Sequence, residues 1–298
     1  MTQPDHVWQQ IADLMKGATA RVILVAPFIK KAIFEETLAS VPASVEKIEC
    51  VTRWTPAEVA AGVSDPEIIE AAERDERVQI ALCPSLHAKI YVADDRCLVG
   101  SANLTGKATG RVPNANVELL LDAPVTHPEV QRALSQIESR STAATPVVAA
   151  LVRQQAELLK EERIAPPAEG EPASLWYPET RRPENVFALY SGRAQFTSPV
   201  EAGIVQDLAM LDVPAGLVEH DFNAVVEARL HAIPELHKLL VGERLSNIEL
   251  QKAIVERTGD PEVQARRTTE TLAAWLQHFG RYYTEVGSWE LRPGREHA

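Results

Sequence analysis

His87-Ala-Lys89 sets an imidazole and an ammonium two residues apart, and Gly100-Ser101-Ala-Asn103 and Asn116-Val-Glu118 follow it in the chain. Read as a strand, residues 87–93 send alternate side chains to opposite faces. His87, Lys89 and Tyr91 then share one face, and the apolar Ala88, Ile90 and Val92 take the other. Ser101 and Asn103 share parity after a hairpin, as do Asn116 and Glu118. Three neighbouring segments can therefore aim His, Lys, Ser, Asn and Glu at one patch. Such a set suits phosphoryl transfer, in which the phosphate oxygens must be neutralised and the line of attack fixed. Lys89 supplies charge, Ser101 and Asn103 supply neutral donors, and His87 serves as nucleophile or as general acid and base. A carboxylate such as Glu118 holds one imidazole nitrogen and raises its basicity. Asp94 has the opposite parity and sits in the turn Asp94-Asp95-Arg96, which points to an orienting role. Arg53, at the end of an earlier strand, and Lys107 and Arg111, in the stretch after Asn103, are candidate phosphate contacts. An exposed strand end or a solvated loop is the plain alternative for each.

Hydrophobic periodicity supplies the elements that must carry these residues. The spacing of Val7, Ile11 and Leu14 predicts a helix over 3–16. The apolar run 21–29, closed by Pro27, predicts a buried strand, and 30–41 a helix. Strands are expected at 47–54, 78–83, 87–93, 97–100 and 117–121, with a helix opened by Asp65-Pro66 and running to Arg74. Helices are expected at 128–140 and 146–163. This is an α/β pattern with a late antiparallel hairpin, so a mixed sheet flanked by helices is expected. Residues 166–184 are rich in Pro, Glu and small residues and read as a connector. From Asn185 onward the spacing is helical. Ser246 with Glu249 forms a capping-box pattern, and Gly259 separates that helix from one starting near Pro261 that bears Arg266 and Arg267. Two helices about a short turn resemble a helix-turn-helix, with residues 289–292 as a wing strand; a helical bundle for dimer or partner contact is the alternative. The domain boundaries that follow are 1–140 for the catalytic part, 141–184 for the helical connector and Pro-rich linker, and 185–298 for a mainly α-helical C-terminal domain.

With these residues placed, His87-x-Lys89-x4-Asp94, Gly100-Ser101-x-Asn103 and Asn116-x-Glu118 resemble the phospholipase D superfamily over roughly residues 20–122. The resemblance implies a phospholipase-D-like sheet, His87, Lys89, Asp94, Asn103 and Glu118 as the catalytic set, a covalent phosphohistidine, and neither metal nor other cofactor. It also implies that two such motifs build one site. One histidine attacks phosphorus and the other protonates the leaving oxygen. This chain holds one motif. Histidines 6, 127, 220, 231, 237, 278 and 297 have no lysine two residues on, and His237 is followed at once by Lys238. A two-fold homodimer with a composite site is therefore expected. Single-motif members of this superfamily are mostly nucleases, which tilts the expected substrate towards DNA over RNA and suggests a restriction or phage-defence setting with a possible partner protein.

Composition bounds these readings. The chain has 298 residues and a net charge of −12, and residues 1–145 carry 14 basic against 19 acidic residues. Acidity counts against a general nucleic-acid binder but does not forbid a local basic cleft. Two alternatives stay open on that account: a phosphodiesterase or transferase acting on a phospholipid or other small diester, and a non-catalytic dimeric scaffold. Cys50, Cys83 and Cys97 form no CxxC pair and are expected as free thiols. Residues 1–20 lack the pattern of a signal peptide, and no apolar run reaches about 18 residues. A cytoplasmic protein without a membrane partner is expected.

Overall fold

The run Arg-Val-Ile-Leu-Val forms the central strand because both faces of the sheet are covered, which permits continuous rather than alternating apolar residues. The computed structural model describes residues 6–161, 176–280, 282–285 and 288–293. They divide into two units, Met1–Lys160 with Pro214–Gly216 and Glu161–Val213 with Leu217–Ala298.

In the first unit the order is α1 (His6–Lys16), β1 (Arg21–Val25), α2 (Lys31–Ser40), β2 (Lys47–Thr52), α3 (Pro56–Ala60), α4 (Ile69–Arg74), β3 (Val78–Leu82), β4 (Ile90–Ala93), β5 (Arg96–Gly100), α5 (Gly106–Thr109), β6 (Leu120–Pro124), α6 (Pro128–Ser139), β7 (Thr142–Ala143) and α7 (Pro146–Glu161). The seven strands form one sheet in the order β6-β5-β4-β1-β2-β3-β7. β1, β2 and β3 run parallel; β4, β5, β6 and β7 join antiparallel. This is the mixed, helix-flanked sheet expected from the sequence. Leu24 and Tyr91 pack on one face with Ile11 and Met15 of α1 and Phe34 of α2. Ile23, Val25, Ile90 and Val92 pack on the other with Val130 and Ile137 of α6. Cys50, Cys83 and Cys97 are buried free thiols.

Two boundaries move. His87, Ala88 and Lys89 precede β4 instead of belonging to it, and residues 117–119 precede β6. The register gives the reason. Ile90 pairs with Val25 on one side and Val99 on the other. β1 then meets Pro27, and the chain leaves β5 after Gly100. Residues 87–89 thus lie past the last paired residue of β4. On the β5 side only the Gly100 N–H, which donates to the Lys89 carbonyl (3.3 Å), carries the pairing one residue further, so strand parity does not extend to His87. Helix α7 belongs with the first unit and not with a connector, because Ala149, Val152 and Ala156 enter the first core.

Asp94 closes the opposite end of β4. It adopts φ 55°, the left-handed region that Asp tolerates at turns. Its carboxylate accepts the N–H groups of Thr19 (2.7 Å), Ala20 (2.9 Å) and Arg21 (2.9 Å) and the Thr19 hydroxyl (2.8 Å). These bonds, led by that from the Arg21 N–H, hold its pKa down at about 2. A carboxyl group with a lowered folded pKa stabilises the fold above its unfolded value, and that contribution disappears as pH falls. Asp94→Ala is therefore expected to cost about 2 kcal/mol near neutral pH, a modest figure because the site is partly exposed. Thermal unfolding should show a Tm lower by about 4–8 °C. The gap between the variant and the parent should narrow between pH 4 and pH 2. An unchanged Tm would remove the anchoring role.

The second unit contains α8 (Glu184–Tyr190), α9 (Ser198–Leu211), α10 (Glu219–His231), α11 (His237–Leu240), β8 (Leu245–Ser246), α12 (Asn247–Thr258), α13 (Glu262–Phe279), β9 (Tyr282–Glu285) and β10 (Ser288–Pro293). Its core holds Phe187, Phe222, Leu272, Trp275 and Leu276. Of the expected linker 166–184, residues 166–175 lie outside the described residues, as does the end of the helix expected over 146–163, while 176–183 are packed chain. The buried Asp207 carboxylate accepts the Trp176 indole N–H (3.2 Å) and the N–H groups of Glu179 (2.9 Å) and Thr180 (2.8 Å), and Trp275 donates to the Thr180 carbonyl (2.6 Å). Burial outweighs the three donated bonds and raises the Asp207 pKa to about 6. Among the described residues no helix is long and apolar enough to cross a membrane.

Candidate active site

Every motif residue except Asp94 lies at one end of the first unit's sheet. β1, β2 and β3 point their carboxyl ends there, and Phe28, Arg53 and Leu86 follow them. The antiparallel register brings the start of β4, the end of β5 and the start of β6 to the same edge. His87 and Lys89, Ser101 and Asn103, and Asn116 and Glu118 flank those strand ends. The region beyond the carboxyl ends of parallel strands is where open α/β sheets hold their ligands.

Gly100 makes the corner possible. A Cβ there would stand 1.9 Å from the Leu119 carbonyl oxygen, so only glycine lets the two strands approach this closely. The Ser101 N–H donates to that same carbonyl (3.0 Å), and the Ser101 hydroxyl accepts the Leu119 N–H (3.1 Å) while donating to Glu118. The Asn116 amide donates to the second Glu118 oxygen (3.1 Å). Glu118 is thus tied to Ser101 and Asn116, and no hydrogen bond joins it to His87 among the described residues. Asn103 accepts the Phe28 N–H (3.4 Å) through its side-chain oxygen, which leaves its NH2 group to donate elsewhere.

Lys89 donates to the His87 carbonyl (2.7 Å). Burial first, and then the Arg53 charge, lower its pKa, with Glu118 opposing. Lys89 thus feels the charges of both Arg53 and Glu118. Arg53 is no exposed strand end. Its guanidinium is bound by both oxygens of Glu58, donates to the Leu86 carbonyl (3.0 Å) and lies over the Phe28 ring at 5.5 Å. It buttresses the loop that carries His87, with three of its N–H donors engaged by Glu58 and the Leu86 carbonyl. Lys107 is exposed, and its carbonyl accepts the Asn116 N–H (3.0 Å). Arg111 is drawn away to Glu36 (2.9 Å) and the Trp8 ring. Asp94, carried in the motif, stands apart: it lies at the far end of β4, seven residues or about 23 Å of extended chain from His87.

His87 is exposed, and its imidazole has no hydrogen-bond partner among the described residues. It lines a groove of about 220 Å³ with Ser85 and Ala88 on one wall and Arg132 and Gln136 of α6, with Arg140 just past its end, on the other. Arg132, Gln136 and the C-cap residue Arg140 recur every four positions and form a polar line about 12 Å long. Arg132 is paired with Glu129 (2.7 Å), whereas Arg140 has no side-chain partner among the described residues. Sequence reading missed this line, although its helical spacing was visible. It also missed Phe28 and Glu58, whose neighbours carry no such pattern.

A single exposed histidine beside a partly buried lysine and a Ser–Glu–Asn network is now in place. Solved structures of the phospholipase D family resemble this chain. They include NucT from Helicobacter pylori (14% identity over 46% of this chain and 88% of that one, TM-score 0.36). A phospholipase D family member, Nuc from Salmonella typhimurium, is 16% identical over 46% of this chain and 90% of its own, with TM-score 0.34. The phosphatidylserine synthase of Haemophilus influenzae Rd KW20 is 14% identical over 54% of this chain and 42% of its own, with TM-score 0.35. No family model and no curated protein matches the chain.

Proposed function

We propose that the chain is a phosphodiesterase of the phospholipase D type, acting on DNA as a homodimer through a phosphohistidine. The observation that carries this reading is His87, exposed and without a side-chain partner among the described residues, at the same sheet edge as Lys89, Ser101, Asn103 and Glu118. His87 attacks phosphorus as a P–N bond forms and the P–O bond to the leaving group breaks. Lys89 and the Asn103 amide balance charge on the phosphoryl oxygens. The leaving oxygen takes its proton from His87 of the partner subunit. That imidazole then removes a proton from water, which attacks phosphorus and frees the first histidine.

Two features favour a second copy and a polymeric substrate. Val117, Leu119 and Leu121 are 102%, 58% and 56% exposed, on alternate positions around Glu118 and along the edge strand β6. An apolar stripe next to an incomplete site fits a covered face. The groove past His87, with Arg140 unpaired among the described residues, fits a phosphate beyond the scissile one. A phage-defence role, with or without a partner protein, rests on the single-motif resemblance.

The direct test is incubation with end-labelled oligonucleotide in EDTA, acid-labile label trapped on His87, and sizing of the labelled species. Label on a dimer supports the reading; no label and no cleavage of any diester sinks it. Arg140→Glu sharpens the substrate question. It should raise KM about tenfold for an oligonucleotide and leave turnover of a small aryl diester within about twofold, as expected for losing one phosphate contact. Equal effects on both substrates would remove the groove from substrate binding.

A further inference from the structure

The second unit ends in a sheet ordered β8-β10-β9, with β8 and β9 on either side of β10 and all pairs antiparallel. α12 and α13 lie between β8 and β9 in the chain. A capping box formed by Ser246 and Glu249 opens α12, and Gly259 at φ 72° ends it. Pro261 then starts α13 after a turn of three residues. This strand, helix, turn, helix and two-stranded hairpin, with the last strand in the middle of the sheet, is the connectivity of a winged helix-turn-helix.

We infer that α13 is a recognition helix and that this module binds duplex DNA, separately from the His87 site. Its inner face, Ala265, Thr269, Leu272, Ala273 and Leu276, is buried. Its outer face near the N-terminus presents Val263, Arg266, Arg267 and Glu270, and Val263 is 81% exposed. In helix-turn-helix docking the first residues of the second helix meet the base edges in the major groove. An exposed valine there suits a thymine methyl, and arginine suits guanine or phosphate.

A second observation lies beside that face. Arg267, Gln264 and Thr268 line a cleft of about 570 Å³ with Arg181. Neither guanidinium has a hydrogen-bond or ion-pair partner among the described residues, as a phosphate cradle requires. Glu179 and Asp260 line the same cleft, and Glu270 holds Arg266 at 3.0 Å. Residues 245–293 contain six Lys and Arg against seven Asp and Glu, so this stretch carries almost none of the chain's −12. The local carboxylates oppose DNA, and the resulting affinity is modest and sensitive to salt.

The test uses the full chain with His87→Ala, which cannot cleave, and a labelled 20-base-pair duplex followed by anisotropy. Binding should weaken at least tenfold in Arg266→Glu/Arg267→Glu, and the slope of log Kd against log salt should fall by about two. Arg266→Ala/Arg267→Ala should show the same loss with an unchanged Tm, which separates contact from folding. Glu270→Gln, which frees Arg266, should tighten binding about threefold. Duplex affinity within twofold in both arginine variants, or no duplex binding at all, overturns the inference and leaves a protein-docking module. Turnover of a small aryl diester by the arginine variant of the parent chain should be unchanged. Its absence in the parent would fault the phosphodiesterase reading and leave the binding result standing.

Discussion

His87→Ala is expected to lower diester hydrolysis by about 10⁴-fold or more while leaving the fold as it was. The size of the loss follows from removing the proposed nucleophile, which no neighbouring side chain would replace. The fold is spared because His87 is exposed and its imidazole supports no other group; its Tm should stay within about 1 °C of the parent. Mixing adds a second readout. If each site needs one histidine from each subunit, dimers with a single His87 are dead. Activity then falls as the square of the parent fraction when variant and parent subunits are exchanged at fixed total protein. A linear fall would mean that each subunit turns over alone, and would refute the composite site while leaving His87 as catalyst.

Val117→Glu/Leu119→Glu is expected to turn the proposed dimer into a monomer and to abolish hydrolysis almost as fully as removing His87. Both side chains are exposed in the single chain, 102% and 58%, so charging them costs the monomer little. In a dimer each covered side chain contributes about 1.5–3 kcal/mol, and a buried unpaired carboxylate costs more still. Two substitutions repeated across a two-fold axis act four times. Sedimentation should give monomer mass, with a circular dichroism spectrum like the parent's. Val147→Glu, at a site 56% exposed elsewhere on the first unit, is the control and should stay dimeric. A variant that is monomeric yet active would end the requirement for a second copy.

The sequence carried much of this, and its failures have particular causes. The His-x-Lys, Ser-x-Asn and Asn-x-Glu spacings marked residues that do meet at one sheet edge. The apolar runs located all seven strands of the first sheet except the two-residue β7. Parity misled at His87 because it assumes a ladder: β1 ends at Val25 beside Ile90, and past Ile90 only the bond from the Gly100 N–H to the Lys89 carbonyl continues the pairing. Arg53 looked like an exposed terminus. Only the fold brings Glu58, Phe28 and the Leu86 carbonyl around it. The polar line on α6 was legible as spacing but had no meaning until α6 lay beside His87. Residues 176–183 read as linker by composition, whereas Asp207, about thirty residues away, collects their backbone donors.

Asp94 bears on how such motifs are interpreted at all. Its four bonds go to residues 19–21, and none goes to the reacting groups. The pattern His-x-Lys-x4-Asp therefore joins two demands of different origin, chemistry at its beginning and chain closure at its end. A descendant that had lost catalysis would still need the aspartate to seat its first strand, while nothing would hold the histidine. Keeping Asp94 is a sign of an intact scaffold, and only His87 with Lys89 testifies to an enzyme.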